Sequence, residues 1–320
     1  MATVVQAAAA GPICRHTAAM TAPVLLIPPM PDHAPALLAA LARQRPGLPV
    51  LTWTRETPAS ALAEVQVVLG WRWPPGVLAA LPRLRWVCAM AAGVEKLLVP
   101  ELPAAVPMSR IVDPDQALGI AQYVALVVLA QTRGLVGYQA QQLRHDWTRH
   151  PMAAARQRVL VLGWGAVGQA VGAALSALGF QVSGWRRSSG PLAAALAGAD
   201  IVVNSLPLTP DTTDLLNAAA FAALPRGAYL VNIARGGHVV EADLIAALRS
   251  GQLAGAALDV QVNEPLPADD PLWTAPGVLI TPHIAAQSSP DTVAAQFVAG
   301  LDALAAGTPL PNPVDRALGY

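Results

Sequence analysis

Residues 159–168 read VLVLGWGAVG, a short apolar run that leads directly into a glycine-rich segment. Val159 to Leu162 has the length and composition of a buried strand, and a helical pattern follows at 169–178. A G-x-G-x-x-G sequence between a strand and a helix is typical of a turn that holds the pyrophosphate of a dinucleotide. The context carries the prediction, because an alanine- and glycine-rich chain produces the bare motif by chance.

Each glycine of this motif has its own task. Gly163 permits the tight turn, Gly165 lets the backbone approach the pyrophosphate, and Gly168 lets the helix pack on the strand. Ala166 and Val167 open the helix, whose free N–H groups would face the phosphates. These five residues are therefore predicted to bind the cofactor.

The end of the next predicted strand indicates which nicotinamide cofactor is used. A site specific for NAD usually has Asp or Glu about 20 residues beyond the motif, where it holds the ribose 2′-hydroxyl. Here the segment 184–189 reads GWRRSS and contains no carboxylate. Arg186, Arg187 and Ser188 instead offer donors for a 2′-phosphate, which predicts a preference for NADPH over NADH. A pair of arginines that simply face solvent is the plainer alternative.

Apolar runs of strand length alternate with helical or turn-like segments on both sides of the motif. Before it they lie at 24–27, 50–53, 65–69 and 84–90, and after it near 182 and at 201–203, 229–231, 256–258 and 278–280. Strands that alternate with helices form parallel sheets covered on both faces. The sequence therefore predicts an α/β fold with two Rossmann-like domains.

The order of these runs suggests domain boundaries. We expect an NAD(P)-binding Rossmann domain at 115–287 and a discontinuous substrate domain, or lid, at 23–114 plus 288–320. One long helical pattern, from Gln116 past Tyr138, should lead from the first domain into the second. Residues 1–22 contain an alanine run but no basic region, and we expect a disordered tail there rather than a secretory signal.

Composition limits the classes of partner. Of the 320 residues, 54% are apolar and 12% are charged, against about 25% charged residues in a typical soluble protein. A permanent homodimer interface would explain part of this deficit. The formal net charge is zero and no basic stripe is present, which argues against binding to nucleic acid.

Neither a membrane span nor a metal site is expected. The longest apolar stretch, around 120–130, is too short to cross a bilayer. The two cysteines, Cys14 and Cys88, have no partners at metal-ligand spacing and cannot form a disulfide framework. A cytoplasmic location is the natural expectation.

Three separate segments each supply one chemically useful residue just beyond a predicted strand. Arg235 lies in VNIARGG, Glu264 in LDVQVNEPLP and His283 in ITPHIAA. Because ligands bind at the carboxyl edge of a parallel sheet, the three side chains can converge. Reduction of a 2-keto acid needs a cation for the carboxylate and ketone, an acid to protonate the alkoxide, and a carboxylate to orient that acid.

These segments, together with the closing residues 314–320, resemble those of the D-2-hydroxyacid dehydrogenase family, and most of all its members that reduce glyoxylate and hydroxypyruvate. The resemblance covers nearly everything from residue 24 onward. It implies that Arg235 binds the substrate carboxylate and carbonyl, that His283 is the proton donor, and that Glu264 pairs with His283. The implied reaction is the NADPH-dependent reduction of glyoxylate or hydroxypyruvate to glycolate or D-glycerate.

The resemblance also implies further contacts. The loop of Ala92, Gly93 and Val94 would cradle the substrate carboxylate with its N–H groups, and Trp147 would reach toward the active site of a neighbouring subunit in a homodimer. The implied cofactor contacts are Leu206, Pro207, Ile233, Ala234 and Asp259. Tryptophans near strand ends, at 53, 71 and 73, would restrict the pocket to small 2-keto acids, although core packing is an equally good reading of any one of them.

The sequence is compatible with other functions. Gln122 and Gln261 depart from residues that are common in the family. The chain could be another member, such as a D-lactate-type or phosphoglycerate dehydrogenase, although we expect no additional regulatory domain and the ribose site is basic. It could also be a cofactor-sensing binding protein without catalysis, because a fold alone does not decide function. The remaining histidines are assigned no role: His16, His33, His145, His150 and His238.

Overall fold

The computed structural model describes residues 22–28, 34–151 and 156–319. The predicted tail therefore lies outside the described residues, apart from Ala22. Eleven strands in these ranges form two parallel sheets. The first sheet has the order β2-β1-β3-β4-β5, with β1 at Val24–Ile27, β2 at Val50–Thr52, β3 at Val67–Gly70, β4 at Trp86–Ala89 and β5 at Met108–Arg110. Two helices in the same part of the chain are α1 at Ala34–Gln44 and α2 at Ala59–Leu62.

The second sheet has the order β11-β10-β9-β8-β6-β7. Its strands are β6 at Arg158–Leu162, β7 at Gln181–Trp185, β8 at Ile201–Asn204, β9 at Ala228–Asn232, β10 at Leu253–Leu258 and β11 at Val278–Ile280. Its covering helices include α5 at Ala166–Ala177, α6 at Leu192–Leu196, α7 at Ala218–Ala223 and α8 at Glu241–Arg249. The chain moves from β6 to β7 on one side and then returns to β8 on the other, so a ligand crevice opens at the carboxyl ends of β6 and β8. The predicted α/β fold with two Rossmann-like sheets is confirmed.

The single long helix predicted from residue 116 onward is wrong. The structure has α3 at Pro114–Thr132 and α4 at Leu135–Leu143, bent by 61° at the break. Gly134 adopts a left-handed conformation there, with φ of 65°, which ends the first helix and allows the turn. In the described parts of the chain no single helix is long and apolar enough to cross a membrane, although the bent pair reaches that length and composition together.

The last helix, α9 at Pro290–Ala306, returns to the first sheet. Phe297 of α9 stacks on Trp86 of β4, with ring centroids 5.1 Å apart. A Cβ atom at Gly300 would overlap the same indole ring, so glycine is needed where α9 crosses β4. Beyond α9, the backbone N–H of Val314 donates to the carbonyl of Met108 at 2.9 Å. The segment after α9 therefore pairs with β5 at the edge of the first sheet.

Candidate active site

The glycine motif forms the turn between β6 and α5. Gly163 has φ of 91°, and a Cβ atom there would lie 2.8 Å from the carbonyl oxygen of Ser205. A Cβ atom at Gly168 would overlap the carbonyl oxygen of Gly163, whereas the space beside Gly165 is open. No side chain caps the first turn of α5. Its free N–H groups, including those of Ala166 and Val167, fit the pyrophosphate of a dinucleotide.

The basic segment after β7 lies against this turn, but its two arginines are held differently. Nη2 of Arg186 donates to the carbonyl of Trp164, inside the glycine motif, at 2.7 Å. Arg187 instead pairs with Asp211 at 2.8 Å, and both side chains are largely exposed. Ser188 is exposed in the short helix at 187–189. The structure therefore brings Arg186 directly to the glycine turn and places Arg187 and Ser188 further toward solvent.

Arg235 reaches from β9 to the loop that follows β4. Its Nε donates to Oε1 of Glu95 at 2.5 Å, and Nη1 donates to the carbonyl of Ala234 at 2.7 Å. A Cβ atom at Gly93 would overlap Nη2, so only glycine allows the guanidinium to lie this close to the loop. The two sheets therefore meet at Arg235, and the predicted substrate loop, from Ala92 to Val94, lies beside it.

Glu95 is a site residue that the sequence analysis missed. Burial works to raise its pKa, but the charge and hydrogen bond of Arg235, its own backbone N–H and the charge of Lys96 hold the pKa below the ordinary value. Glu95 is therefore an anion that holds one edge of Arg235. The signal available in the sequence was only its position directly after the substrate loop.

His283 and Glu264 form the predicted pair. Nδ1 of His283 lies 3.0 Å from Oε2 of Glu264. Burial works to raise the pKa of Glu264, but the hydrogen bond and charge of His283, the N–H of Gln261 and the charge of Lys96 lower it overall. His283 has φ of 55°, a left-handed conformation that is uncommon for residues other than glycine.

Asp259, expected near the nicotinamide, holds the loop that carries His283. Its side chain is buried, and Oδ1 accepts hydrogen bonds from the hydroxyl of Thr281 at 2.6 Å and the N–H of Ile284 at 2.8 Å. Oδ2 accepts from the N–H of Ala285 at 2.8 Å. The Thr281 hydroxyl also lies 2.7 Å from that of Tyr123 on α3. These contacts fix the backbone conformation of the His283 loop.

Aromatic rings line one side of the site. The ring of Trp71 meets that of His283 edge-on, with centroids 6.3 Å apart and planes at 67°. Nζ of Lys96, the only lysine in the sequence, lies 5.4 Å from the centre of Trp71. Trp73 donates to the carbonyl of Leu97 at 2.8 Å and packs behind the loop, and Trp53 packs in the core beside the first sheet. Among these three tryptophans, the structure therefore brings Trp71 to His283.

The other expected residues divide into two groups. Leu206, Ile233 and Ala234 are buried at the carboxyl ends of β8 and β9, and the Pro207 carbonyl accepts from the Thr212 hydroxyl at 2.7 Å. Trp147, after α4, is 92% exposed. The structure therefore places Leu206, Ile233 and Ala234 at the crevice, while the placement of Trp147 leaves its ring free on the surface.

No group of three or more His, Cys, Asp or Glu side chains in the described ranges could hold a metal ion. A turn built for a dinucleotide and a histidine oriented by a carboxylate, both at the carboxyl edge of one parallel sheet, are the arrangement of a nicotinamide-dependent dehydrogenase. The family model described as "D-isomer specific 2-hydroxyacid dehydrogenase, NAD binding domain" matches residues 125–285. The chain belongs to this family.

Individual relatives match nearly the whole chain. A curated glyoxylate/hydroxypyruvate reductase A from Serratia proteamaculans is 39% identical, with 90% of this chain and 97% of the relative covered. A D-isomer specific 2-hydroxyacid dehydrogenase from Xanthobacter autotrophicus, solved with NADPH and MES, is 39% identical with a TM-score of 0.83, covering 93% and 99% of the two chains. An NADPH-dependent glyoxylate/hydroxypyruvate reductase from Sinorhizobium meliloti, solved with NADP and sulfate, is 33% identical with a TM-score of 0.84, covering 93% and 100%.

Proposed function

We propose that this protein reduces glyoxylate and hydroxypyruvate to glycolate and D-glycerate with NADPH. The observation that carries the proposal is the His283–Glu264 pair, 3.0 Å apart, in the same site as Arg235 and the loop at 92–94. The names of the relatives from Serratia proteamaculans and Sinorhizobium meliloti support the choice of substrates. The NADPH complex of the Xanthobacter autotrophicus relative and the NADP complex of the Sinorhizobium meliloti relative support the choice of cofactor.

Each residue has a distinct task in this proposal. The N–H groups of the loop at 92–94 and the guanidinium of Arg235 bind the substrate carboxylate, and Arg235 also polarises the C2 carbonyl. NADPH, when bound, supplies the hydride that C2 receives. Glu264 holds Nδ1 of His283, which leaves Nε2 to give a proton to the new alkoxide oxygen. The product is a 2-hydroxy acid, and the histidine regains its proton from water.

The preference for NADPH rests on Arg186 in this proposal. Its hydrogen bond to Trp164 holds the guanidinium beside the glycine turn, where the adenosine ribose must lie if the pyrophosphate binds α5. Arg187 and Ser188 would add donors from the solvent side, with Arg187 shared with Asp211.

The two sheets belong to domains that close on the substrate, and we place the division at 23–114 plus 288–320 against 115–287. The side-chain amide of Gln296 bonds to both the N–H and the carbonyl of Val112, at 3.1 and 2.7 Å. The chain passes between the domains twice, near residue 114 and near residue 287. This contact joins α9, which follows the second passage, to Val112, which precedes the first. Closure about these crossings would exclude water from the path of the hydride.

We propose that the protein is cytoplasmic. We also propose that an apolar surface on α3 and α4 binds a second copy of the chain. The surface consists of side chains with exposed fractions from 48% to 92%: Leu118, Leu126, Leu135, Val136, Leu143 and Trp147. Patches of this kind usually mark an interface. A formal net charge of zero leaves no net long-range repulsion between two copies. Trp147 would then approach the partner subunit's site.

A panel of substrates tests the reaction. Initial rates of NADPH and NADH oxidation would be measured with glyoxylate, hydroxypyruvate, pyruvate and phenylpyruvate under one condition. We expect glyoxylate and hydroxypyruvate to give the highest kcat/KM, with NADPH favoured at least about tenfold. Pyruvate with NADH as the best pair would favour a D-lactate-type enzyme. Tight NADPH binding without turnover of any keto acid would favour the cofactor-sensing alternative.

A further inference from the structure

His238 connects two neighbouring loops at the carboxyl edge of the second sheet, those that follow β8 and β9. It belongs to the short helix Gly236–His238, directly after Arg235, and is fully buried. Nδ1 of its ring lies 3.0 Å from the carbonyl oxygen of Arg235, and Nε2 lies 3.2 Å from the carbonyl oxygen of Pro207. The ring therefore spans from the loop after β9 to the loop after β8.

Both ring partners are hydrogen-bond acceptors. A neutral imidazole has one N–H and can bond to one of the two carbonyls at a time, whereas a protonated ring can bond to both. Burial lowers the pKa of His238, as does the charge of Arg235, while the two carbonyls and the charge of Glu95 act in the opposite direction. The net shift is downward, so the neutral ring dominates at neutral pH and its single N–H serves one carbonyl at a time.

A buried imidazole costs free energy that an apolar side chain would not. Neither carbonyl depends on His238 for a partner, because Pro207 accepts from Thr212 and Arg235 accepts from the side-chain amide of Asn232 at 2.9 Å. The short helix does not depend on the ring either. The backbone N–H of Leu216, in the segment after Pro207, donates to the backbone carbonyl of His238 at 2.8 Å. The ring is therefore a second connection between the loops, made next to Arg235 itself.

We propose that His238 is a positioning residue: its ring forms a bridge by lying between the carbonyls of Arg235 and Pro207 and donating its single N–H to either one, and this bridge fixes the guanidinium of Arg235 relative to the loop after β8. The inference rests on the proposed function, because it assigns the consequence of this bridge to keto acid binding. Loss of the bridge should let Arg235 move while the glycine turn and Arg186, at the far side of the crevice, stay in place.

Three substitutions separate the two halves of the bridge. In His238→Asn the amide nitrogen takes the place of Nδ1 and can still reach Arg235, in His238→Gln it takes the place of Nε2, and His238→Leu keeps neither. We expect His238→Leu to lower kcat/KM for glyoxylate at least about tenfold, mainly through KM, with the Kd for NADPH changed less than about twofold. His238→Asn should recover more of this loss than His238→Gln, because it keeps the contact with Arg235.

Gln252→Leu is the matched control. The amide of Gln252 also bridges two backbone carbonyls, those of Phe221 and Leu224, both at 2.9 Å, but at the opposite edge of the same sheet. It should lower the melting temperature without changing KM. A His238→Leu variant with the wild-type KM for glyoxylate, or a rise in the Kd for NADPH as large as the rise in KM, would overturn the proposal. If His238→Leu does not fold, an Asn variant no better than the Gln variant overturns it.

Failure of the proposed function can be distinguished from failure of the His238 bridge. Turnover of keto acids by the wild type tests the proposed function, whereas the ratio of kcat/KM for the variant to that for the wild type tests the bridge. If the wild type reduces no keto acid, ¹H–¹⁵N spectra of the histidine rings still test the bridge, with NADPH and then oxamate added. We expect the ring signal of His238 to shift when oxamate binds beside Arg235. A signal that does not move when oxamate binds overturns the inference.

Discussion

The ion pair between Glu95 and Arg235 determines how the arginine can meet a substrate. Glu95 takes Nε, and Gly93 lies against Nη2, so the loop after β4 holds two sides of the guanidinium. The side chains of Arg235 and Glu95 are only 19% and 21% exposed, so solvent weakens the pair less than it weakens a surface ion pair. A short loop of small residues is therefore able to orient the main cation of the site.

Replacement of Glu95 should reduce stability in a pH-dependent way. The pKa of Glu95 is lowered from its ordinary value of 4.5, so the pair stabilises the folded state above that value. Its contribution is lost as the pH falls through the lowered pKa. Glu95→Gln should lower the free energy of unfolding by about 1–3 kcal/mol. This deficit should be constant from pH 8 to about 5 and become smaller in stronger acid. Calorimetry of both proteins over this range would measure it, with Glu101→Gln as an exposed control, and a deficit independent of pH contradicts the assignment.

Gly93→Ala should affect the substrate rather than the cofactor. The new methyl group would overlap Nη2 of Arg235 and force the guanidinium away from the loop. KM for glyoxylate should rise at least about tenfold, since a hydrogen bond to a charged group contributes about 1.5–3 kcal/mol. Steady-state kinetics and NADPH titration would measure both effects. Gly198→Ala, which has room for a methyl group, is the control, and an unchanged KM in Gly93→Ala would show that Arg235 does not need this approach.

At this scale the sequence predicted the residues of the site better than their connections. Arg235, Glu264 and His283 each follow a strand, and the rule that strand ends share one sheet edge was sufficient to suggest that they meet. Glu95 and His238 had no such signal, because Arg235, the partner of Glu95, and Pro207, the second partner of His238, lie on other loops. Asp259 was predicted as a cofactor contact, whereas its bonds to the His283 loop depend on a backbone conformation that no residue pattern encodes.

Among the elements, the strands and the turn at β6 could be predicted because their apolar runs are continuous and buried. The strand β5 was missed, since its three residues Met108–Arg110 include a serine and an arginine. It forms because β4 and the segment at Pro313 pair with it. The break at Gly134 was missed for a related reason: glycine is tolerated inside a helix, so the pattern alone does not tell a helix interior from an end.

The short segment after β7 carries the prediction on cofactor choice. Arg186 is held at the glycine turn, whereas Arg187 is shared with Asp211 near the surface. Arg186→Ser should lower the ratio of kcat/KM for NADPH to that for NADH at least about tenfold, which corresponds to about 1.4 kcal/mol. Arg187→Ser should lower it less, because solvent and Asp211 already screen that charge. Equal effects of the two substitutions, or none, would show that the 2′-phosphate lies elsewhere.

For the whole molecule, the low share of charged residues and the apolar surface on α3 and α4 have one explanation in a homodimer. Leu126→Glu would place a charge on that surface, and the cost of burying an unpaired charge should separate the subunits. Light scattering should then report a dimer for the wild type and a monomer for the variant. Leu318→Glu, at another exposed leucine, should remain dimeric. A wild-type monomer at micromolar concentration contradicts the proposal.

The proposed reaction requires His283, oriented by Glu264, to protonate the alkoxide of a small 2-keto acid. The most direct test is the kcat for glyoxylate of His283→Gln against the wild type, together with the Kd for NADPH of each. A general acid typically contributes 10²–10⁴-fold, so kcat should fall by about that factor while NADPH binding stays within about twofold. A variant that keeps kcat within about tenfold of the wild type and binds NADPH equally well would contradict this role of His283.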